Sequence, residues 1–205
     1  MSTDRPAALR YALATFVALV TLAVLVGTGA TRSVDAAVVE WSASLTAARP
    51  ELLAALRLLE EVTRPVWLYA VATPLCLLTG WRAGMWQRAG AAWVTMMTIW
   101  GSAALLKLVV GRDRPPWALA PQEGLSFPSG HATNSTAVMV GMAMLLWPLL
   151  GTLERRLLAV AAAVIIAAVM LNRVFLGVHY PTDVLAGLLY GGGLMLASAR
   201  LWPPR

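Results

Sequence analysis

Long apolar segments separated by short polar stretches dominate the chain. Six runs carry no charged side chain, at 11–31, 65–81, 89–106, 132–153, 157–172 and 184–199. A transmembrane helix needs about 20 mostly apolar residues, within a range of about 17 to 25. The two shortest runs have 16 residues, and both still qualify because flanking arginines can bend back to the lipid headgroups. The pattern predicts an all-α integral membrane bundle, one domain covering 1–205, with six transmembrane helices at about 11–31, 65–81, 89–107, 131–153, 157–173 and 181–200.

The first apolar run admits two interpretations. Arg5 and Arg10 precede it, as the positive region of a secretory signal peptide would. The run is, however, longer than the roughly 7 to 15 apolar residues of such a signal. We therefore predict a retained transmembrane helix, with a signal peptide as the alternative.

The segment 32–64, between the first two runs, mixes acidic and basic residues. From Pro50 onward leucines recur at helical spacing, and Pro50 followed by Glu51 is typical of a helix start. The pattern predicts an amphipathic helix at the membrane interface, packed against the bundle. A lid over the lipid entrance is the alternative role for this segment.

Composition agrees with a membrane protein. The chain is 59% hydrophobic and 13% charged, whereas about 25% of the residues in a soluble domain are charged. The net charge of +6 does not indicate nucleic acid, because the basic residues lie at the ends of apolar runs and not in one cluster. The single cysteine, Cys76, lies inside an apolar run and is interpreted as a small buried hydrophobic residue.

The short loops carry information on orientation. With six spans both termini lie on one side, and that side receives, almost without acidic residues, Arg5, Arg10, Arg82, Arg88, Arg155, Arg156, Arg200 and Arg205. The other side also holds eight basic residues, but these are interleaved with acids or belong to the polar cluster described next. Short basic loops stay in the cytoplasm. We therefore expect a protein of the cell membrane whose termini lie in the cytoplasm and whose loops after the third and fifth spans face outward.

Residues suited to phosphate chemistry concentrate between positions 107 and 183. Lys107 ends the third run, and Arg114 follows it seven residues later. Taken alone, Lys107 is typical of an interfacial anchor and Arg114 of a polar loop. Several fixed cations that converged would instead form a phosphate site, because guanidinium groups match phosphate oxygens.

The stretch Pro128-Ser129-Gly130-His131 leads into the fourth span. Proline and glycine favour a tight turn, and Ser129 is suited to cap the helix. The free N–H groups and the positive dipole end of a helix start favour a bound phosphate. A simple loop-to-helix junction with an interfacial histidine is the alternative.

The last group comprises Arg173, at the end of the fifth run, and His179 and Asp183, at the start of the sixth. Pro181 suits the first helical position, so Asp183 lies in the first turn, where the helix dipole favours a carboxylate. Four residues after His179, Asp183 is close enough to hydrogen-bond the imidazole, fix its tautomer and stabilise its cation. The alternative is a helix cap beside an unrelated histidine, although an ionisable cluster at a membrane boundary indicates function.

Taken together, the motifs are more specific than any one of them. Lys-x6-Arg-Pro, Pro-Ser-Gly-His and Arg-x5-His-x3-Asp occur in this order and closely resemble the three signature motifs of the type 2 phosphatidic acid phosphatase (PAP2) superfamily. That family includes bacterial undecaprenyl diphosphate phosphatases and, more distantly, vanadium haloperoxidases and acid phosphatases. One departure is that Asn172 stands before Arg173 where the family usually has serine. Asparagine can still donate a hydrogen bond, so the departure puts in doubt only the role of that residue.

The resemblance implies a metal-independent lipid phosphatase without a cofactor. In the family, the histidine that matches His179 attacks phosphorus and forms a phosphohistidine, and Asp183 would orient it. His131 would protonate the leaving lipid oxygen and later activate water. The resemblance further implies that the phosphate oxygens are bound by Lys107, Arg114, Ser129, Gly130 and Arg173.

Several alternatives remain open at this point. The leading substrates are polyprenyl diphosphate, phosphatidate and phosphatidylglycerol phosphate, and the oligomeric state is undetermined. The same residues would also serve transfer of the phosphoryl group to another alcohol, or non-catalytic carriage of lipid phosphates. A vanadate-dependent haloperoxidase is disfavoured because those relatives are soluble. For a phosphatase, we expect an apolar groove between helices to admit the lipid tails from the side.

Overall fold

The computed structural model describes residues 5–203, so Arg205, used above for the orientation, lies outside the described residues. Over that range the chain consists of helices, turns and loops, and the predicted all-α bundle is confirmed. The helices, in chain order, are α1 (Arg5–Gly27), α2 (Arg32–Ala47), α3 (Pro50–Val62), α4 (Pro65–Ala83), α5 (Trp86–Val110), α6 (Gly130–Leu146), α7 (Thr152–Phe175) and α8 (Pro181–Ala199).

Five of these helices are long and apolar enough to cross a membrane by themselves, namely α1, α5, α6 with the short turn that follows it, α7 and α8. The predicted span at 65–81 corresponds to α4, which reaches the required hydropathy only together with α3. The two helices meet at a break with a bend of 44°. The described residues therefore contain five spans, or six when the bent pair is counted as one.

Helix ends differ from the predicted runs by a few residues. Helix α1 ends at Gly27, and residues 28–31 form turns. Helix α6 ends at Leu146 and is followed by a 3₁₀ turn at Trp147–Leu149. Because proline has no N–H to donate, Pro148 fits this turn better than a continued α-helix. Absence of charge does not reveal such a break, so the predicted fourth span at 131–153 was too long.

The segment 32–64 forms two helices, α2 and α3, where the sequence predicted one. Helix α3 begins at Pro50, as predicted, and packs against α7. Helix α2 also packs against α7 and touches α8, and the Ser42 hydroxyl donates to the backbone carbonyl of Val174 at 3.2 Å. The α2–α3 pair is thereby fixed against the ends of α7 and α8.

Helices α6 and α8 form the centre of the bundle. About half of the spanning window of each is buried (56% and 50%), against 11% for α1. A Cβ atom at Gly191 of α8 would lie 2.3 Å from the backbone oxygen of Thr133 of α6, so only glycine allows this approach. Helices in membranes associate through small residues of this kind. The starts of the two helices are also joined by a hydrogen bond from Ser129 N to the Asp183 carbonyl at 3.0 Å.

Candidate active site

The start of α8 places an aspartate beside a histidine. Asp183 lies in the first turn of α8, and its Oδ2 accepts from the backbone N–H of Tyr180 at 2.8 Å. His179 Nδ1 is 3.5 Å from the same oxygen, and both side chains are buried. The predicted helix start and the proximity of these two side chains are therefore both present.

Hydrogen bonding indicates the tautomer of His179. Its Nε2 lies 3.2 Å from a terminal nitrogen of Arg114, and because arginine only donates, Nε2 must accept. The proton then resides on Nδ1, which faces Asp183 and, at 3.3 Å, the hydroxyl of Ser126. The Ser126 hydroxyl also donates to Asp183 Oδ2. The lone pair of Nε2 is thus held on the side of the cations, where an anion would bind.

Burial keeps His179 neutral. Desolvation is the main cause that lowers the pKa of His179 from 6.5 to about 4, and Arg114 and Lys107 lower it further, while Asp183 opposes them. A neutral imidazole is the form that can act as a nucleophile. The nucleophilic form is therefore already populated at neutral pH.

Two cations face this histidine without a carboxylate partner. Arg114 donates to the backbone carbonyls of Glu123, Gly124 and Val178 at 2.9–3.0 Å, and Lys107 Nζ donates to a carbonyl of the same loop at 2.5 Å. Within residues 5–203 no carboxylate lies at ion-pair distance from either one. Backbone carbonyls orient these groups without neutralising them, so their positive charge can still attract an anion.

The start of α6 carries the second histidine. Ser129 is the N-cap, and its hydroxyl accepts from the backbone N–H of Ala132 at 3.5 Å, as predicted. Gly130 is the first helical residue, so its N–H has no intrahelical partner. His131 Nδ1 lies 3.4 Å from Arg173, whereas its Nε2 is buried and has no hydrogen-bond partner among the described residues. That nitrogen is available to a ligand.

Arg173 is fully buried and is held from two sides. One terminal nitrogen pairs with Glu60 of α3 at 2.8 Å, and Asn172 Oδ1 accepts from Nε at 3.0 Å and from the other terminal nitrogen. The amide nitrogen of Asn172 donates to the carbonyl of Leu56 at 2.7 Å. Asn172 thus connects α3 to the guanidinium of Arg173, and a serine is too short to make both contacts.

The loop after α5 and the loop before α8 contact each other next to this cluster. Leu119 N donates to the carbonyl of Leu176 at 2.9 Å. Gly177 has a positive φ of 68°, and a Cβ atom there would lie 2.3 Å from the backbone oxygen of Trp117. The loop after α5 and the loop before α8 are therefore in direct contact, which brings the first and third motifs together.

The groups around His179 and those around His131 interact through their charges. Burial lowers the pKa of Arg114, Asp183 raises it, and Arg173 lowers it, so charges from α7 and α8 both reach this guanidinium. His131 and His179 lie within electrostatic range of each other. The residues singled out from the three motifs therefore lie at one end of the bundle. Among the residues described, no group of three or more His, Cys, Asp or Glu side chains is placed to hold a metal ion.

Four contributors to the cluster were missed by sequence reasoning: Asp35, Glu60, Arg112 and Ser126. Signals for the two acids were present. Glu60 follows Leu53 and Leu56 at helical spacing, so it lies on the apolar face of α3. Asp35 shares a face of α2 with Val39, and both are buried. An acid on a buried helix face needs a cationic partner, and that requirement would have pointed to the arginines.

The fold defines an integral membrane protein with a cluster of cations and two histidines at the ends of its spans. A family model described as the PAP2 superfamily matches residues 88–205. The chain belongs to that superfamily.

One solved structure and two curated proteins are similar to this chain. The crystal structure of a transmembrane PAP2 type phosphatidylglycerolphosphate phosphatase from Bacillus subtilis matches with a TM-score of 0.72 and 29% identity, covering 91% of this chain and 92% of that one. Phosphatidylglycerophosphatase B of Bacillus subtilis is 36% identical over 58% of this chain and 61% of its own length. Lipid A 1-phosphatase of Rhizobium etli is 37% identical over 47% of this chain and 43% of its own length. Both of these alignments thus cover less than two thirds of the relative.

A third relative aligns over more of its length. Decaprenylphosphoryl-5-phosphoribose phosphatase of Mycolicibacterium smegmatis is 34% identical over 77% of this chain and 83% of its own length. The similarity therefore extends well beyond the motif region.

Proposed function

We propose that this protein is a metal-independent lipid phosphatase that works through a phosphohistidine intermediate. The observation that carries the proposal is the state of the two imidazoles. Within residues 5–203, His179 presents a neutral Nε2 toward two cations that have no carboxylate at ion-pair distance. In the same range, Nε2 of His131 is buried and has no hydrogen-bond partner. One nitrogen suits attack on phosphorus and the other suits proton transfer.

In the first half-reaction, His179 Nε2 attacks phosphorus and the bond to the lipid oxygen breaks. His131 in its protonated form gives its proton to the leaving oxygen, and Asp183 stabilises the positive charge on His179 through Nδ1. The developing charge on the phosphoryl oxygens is stabilised by Lys107, Arg114, Arg173, the Ser129 hydroxyl and the Gly130 N–H.

In the second half-reaction, water attacks the phosphohistidine. His131, now neutral, takes a proton from that water, so the same residue serves as acid and then as base. The bond between phosphorus and His179 Nε2 breaks, inorganic phosphate leaves, and the neutral imidazole is restored.

A cleft between α1 and α5 supports a lipid as the substrate. Its volume is about 670 Å³ and its walls are almost entirely apolar. Leu106 and Val110, on either side of Lys107 in sequence, line it together with Phe127 of the second-motif turn. Tails lying in this cleft would leave a phosphate headgroup at the span ends. The names of the relatives describe phosphatases of lipid-linked phosphates, which supports the same class.

We further propose that the chain forms a single domain, with its termini in the cytoplasm and the site on the outer face. The arginines in the short loop 82–88 and at 155–156 support this orientation. Ala118 is exposed in the loop after α5. In a Cys76→Ala chain, an Ala118→Cys residue should react with a membrane-impermeant maleimide added to intact cells. Labelling only after the cells are opened would reverse the orientation.

The proposed activity is tested with detergent-solubilised protein and a panel of phosphatidate, phosphatidylglycerol phosphate and polyprenyl diphosphate. We expect release of inorganic phosphate from at least one lipid and no release by His179→Ala. Brief reaction of the wild type with ³²P-labelled substrate should leave acid-labile protein-bound label, and His179→Ala should leave none. Binding of the lipids without phosphate release by the wild type would indicate a carrier and would contradict the proposal.

The role of the cleft is tested by filling it. Ala23 of α1 lines the cleft, and Ala23→Trp should raise the KM for a long-chain lipid phosphate while leaving turnover of a short water-soluble phosphate ester unchanged. Equal losses for both substrates would place the tails elsewhere.

A further inference from the structure

A second layer of ionic contacts lies behind the His179–Asp183 pair and includes an acid from α2. Arg112 donates to Asp183 Oδ1 and to Asp35 Oδ2, at 2.7 Å in each case. The same guanidinium donates to the Thr182 hydroxyl at 2.7 Å and stacks over the ring of Tyr180 at 4.0 Å. Arg112 therefore bridges α2 to the first turn of α8.

Asp35 is almost fully buried and contacts the same turn directly. Its Oδ1 accepts from the backbone N–H of Thr182 at 3.2 Å, and its Oδ2 accepts from the Thr182 hydroxyl at 2.6 Å. Burying a carboxylate is costly unless charged and polar partners satisfy it. Among the residues described, the carboxylate of Asp35 is satisfied by Arg112 and by Thr182, the residue next to Asp183.

The backbone of Arg112 is tied to the nucleophile as well. Its carbonyl accepts from the N–H of Ser126 at 2.8 Å, and the Ser126 hydroxyl reaches both Asp183 and His179 Nδ1. The side chain of Arg112 thus holds Oδ1 of Asp183. Its backbone carbonyl holds Ser126, whose hydroxyl donates to Oδ2 of Asp183. The region matched by the family model starts at residue 88, so α2 and Asp35 lie outside it.

We propose that Asp35 and Arg112 are positioning residues for the nucleophile: Asp35 holds Arg112, and Arg112 holds the Asp183 carboxylate against His179. The inference rests on the proposed function, since it assigns His179 as the nucleophile. It makes α2 part of the active machinery and not only a helix packed on the outside of the bundle.

The proposal has an electrostatic signature. The charged groups that act on His179 are Asp183 of α8, Arg114 of the loop after α5 and Lys107 of α5. Farther off lie His131 of α6, Arg112 and Asp35 behind Asp183, and Arg173 of α7 with Glu60 of α3. Asp35→Asn removes a negative charge, so the pKa of His179 should fall. Arg112→Gln removes a positive charge, so it should rise. Each shift should be on the order of one pH unit, as for charges separated by several ångströms in a protein.

A direct readout is available because the chain has two histidines. In a His131→Gln chain prepared without a polyhistidine tag, the ¹⁵N signals of labelled histidine report His179 alone. We expect a titration midpoint below that of the parent in Asp35→Asn and above it in Arg112→Gln. In the double variant the two shifts should largely cancel. This measurement does not depend on turnover, so it tests the inference even if the proposed phosphatase activity is absent.

Turnover gives the second readout. With His131 intact, Asp35→Asn should lower kcat about tenfold, with KM within about twofold, because the phosphate contacts remain while the nucleophile is less well held. Glu40→Gln is the matched control, since Glu40 lies exposed on the same helix, and it should behave as the wild type in both measurements. Arg112→Lys, which keeps the charge, should leave the titration midpoint near that of the parent.

Shifts of the same sign in Asp35→Asn and Arg112→Gln would overturn the proposal, as would midpoints and kcat equal to those of Glu40→Gln. A loss of kcat that merely follows a lower melting temperature, with no displacement of the midpoint, would reduce Asp35 to a structural role. Phosphate release by the wild type in these cases would leave the proposed function intact.

Discussion

The two ends of the bundle are built on different principles. At the end that carries the motifs, the buried side chains are charged or polar, and each contact has a direction, as between Arg112 and Asp183 or between Arg173 and Glu60. Toward the opposite end the buried side chains are mainly alanine and methionine, with Met96, Leu145 and Met195 almost fully buried. Directional hydrogen bonds and ion pairs therefore fix individual atoms at the motif end, whereas nonspecific apolar packing stabilises the opposite end.

Arg88 shows that a buried charge alone does not make a site. It is the buried arginine of the apolar end, and it donates to the backbone carbonyls of Met144 and Pro203 at 3.0 and 3.2 Å. It also stacks near the ring of Trp202. The carbonyls at the end of α6 have no intrahelical partner, so Arg88 serves as a cap there. The motif end differs because it adds two imidazoles, and among the described residues Nε2 of His131 has no hydrogen-bond partner.

The largest effect should follow from Asp183→Asn. The amide would no longer stabilise a positive His179 and would favour the wrong imidazole tautomer, so kcat should fall on the order of 10⁴-fold, as in comparable triads. Steady-state phosphate release and trapping of the phosphohistidine measure this loss. A loss of less than about tenfold would mean that Asp183 is only a helix cap.

Asn172→Ser should weaken phosphate binding. Serine is the usual family residue, but here it would leave the guanidinium of Arg173 and the carbonyl of Leu56 without the contacts that Asn172 makes. Hydrogen bonds to charged groups are worth about 1.5–3 kcal/mol, so KM should rise at least about tenfold. An unchanged KM would show that Glu60 alone suffices to hold Arg173.

Gly191→Ala tests the close packing of α6 and α8. The added Cβ would meet the backbone oxygen of Thr133, and overpacking typically costs about 1–3 kcal/mol. We expect a lower melting temperature in detergent and a several-fold loss of kcat, because the helix starts that carry the two motifs would separate.

The matched control for this change is Gly90→Ala on α5. A Cβ atom at Gly90 would meet nothing within 4 Å, and alanine is the better helix former. Its stability should be equal to or above that of the wild type. Equal behaviour of the two alanine variants would mean that α6 and α8 are free to adjust.

The ionisation of His179 should contribute little to the pH dependence near neutrality. With a His179 pKa of about 4, the nucleophile stays neutral well below pH 6.5, so its ionisation should reduce kcat/KM only as the pH approaches 4. Stability follows the same sign: an unfolded histidine titrates near 6.5, so unfolding is favoured as the pH falls from 6.5 toward 4. A fall of kcat/KM below about pH 6.5 that persists in a His131→Gln chain would be assigned to His179. It would contradict the buried environment of that histidine.

The smallest effect is expected for Met96→Leu at the apolar end. Volume-conserving swaps usually cost less than about 1.5 kcal/mol, and Met96 lies in the apolar core. Activity should remain within about twofold of the wild type, as measured with the same lipid panel. A large loss would show that the apolar end also controls the geometry of the site.

Local signals in the chain predicted the apolar helices and singled out the candidate residues. Each uncharged run of 16 or more residues coincides with a helix, α1 or one of α4 to α8. Ser129, Pro181 and Asp183 act within single helix starts. Such signals depend on neighbours a few residues away, so they can be read directly. They did not reveal α2, the break after α6, or the dependence of α4 on α3 for its span.

Only the tertiary structure decided which charges meet. Asp35 and Arg112 are separated by 77 residues, and Glu60 and Arg173 by 113, and no local pattern selects these partners over other acids and arginines. The choice results from the close packing of α6 on α8 and of α2 and α3 on α7, which buries these groups together. Once they are buried, each acid requires a cation, because an unpaired charge away from water costs several kcal/mol.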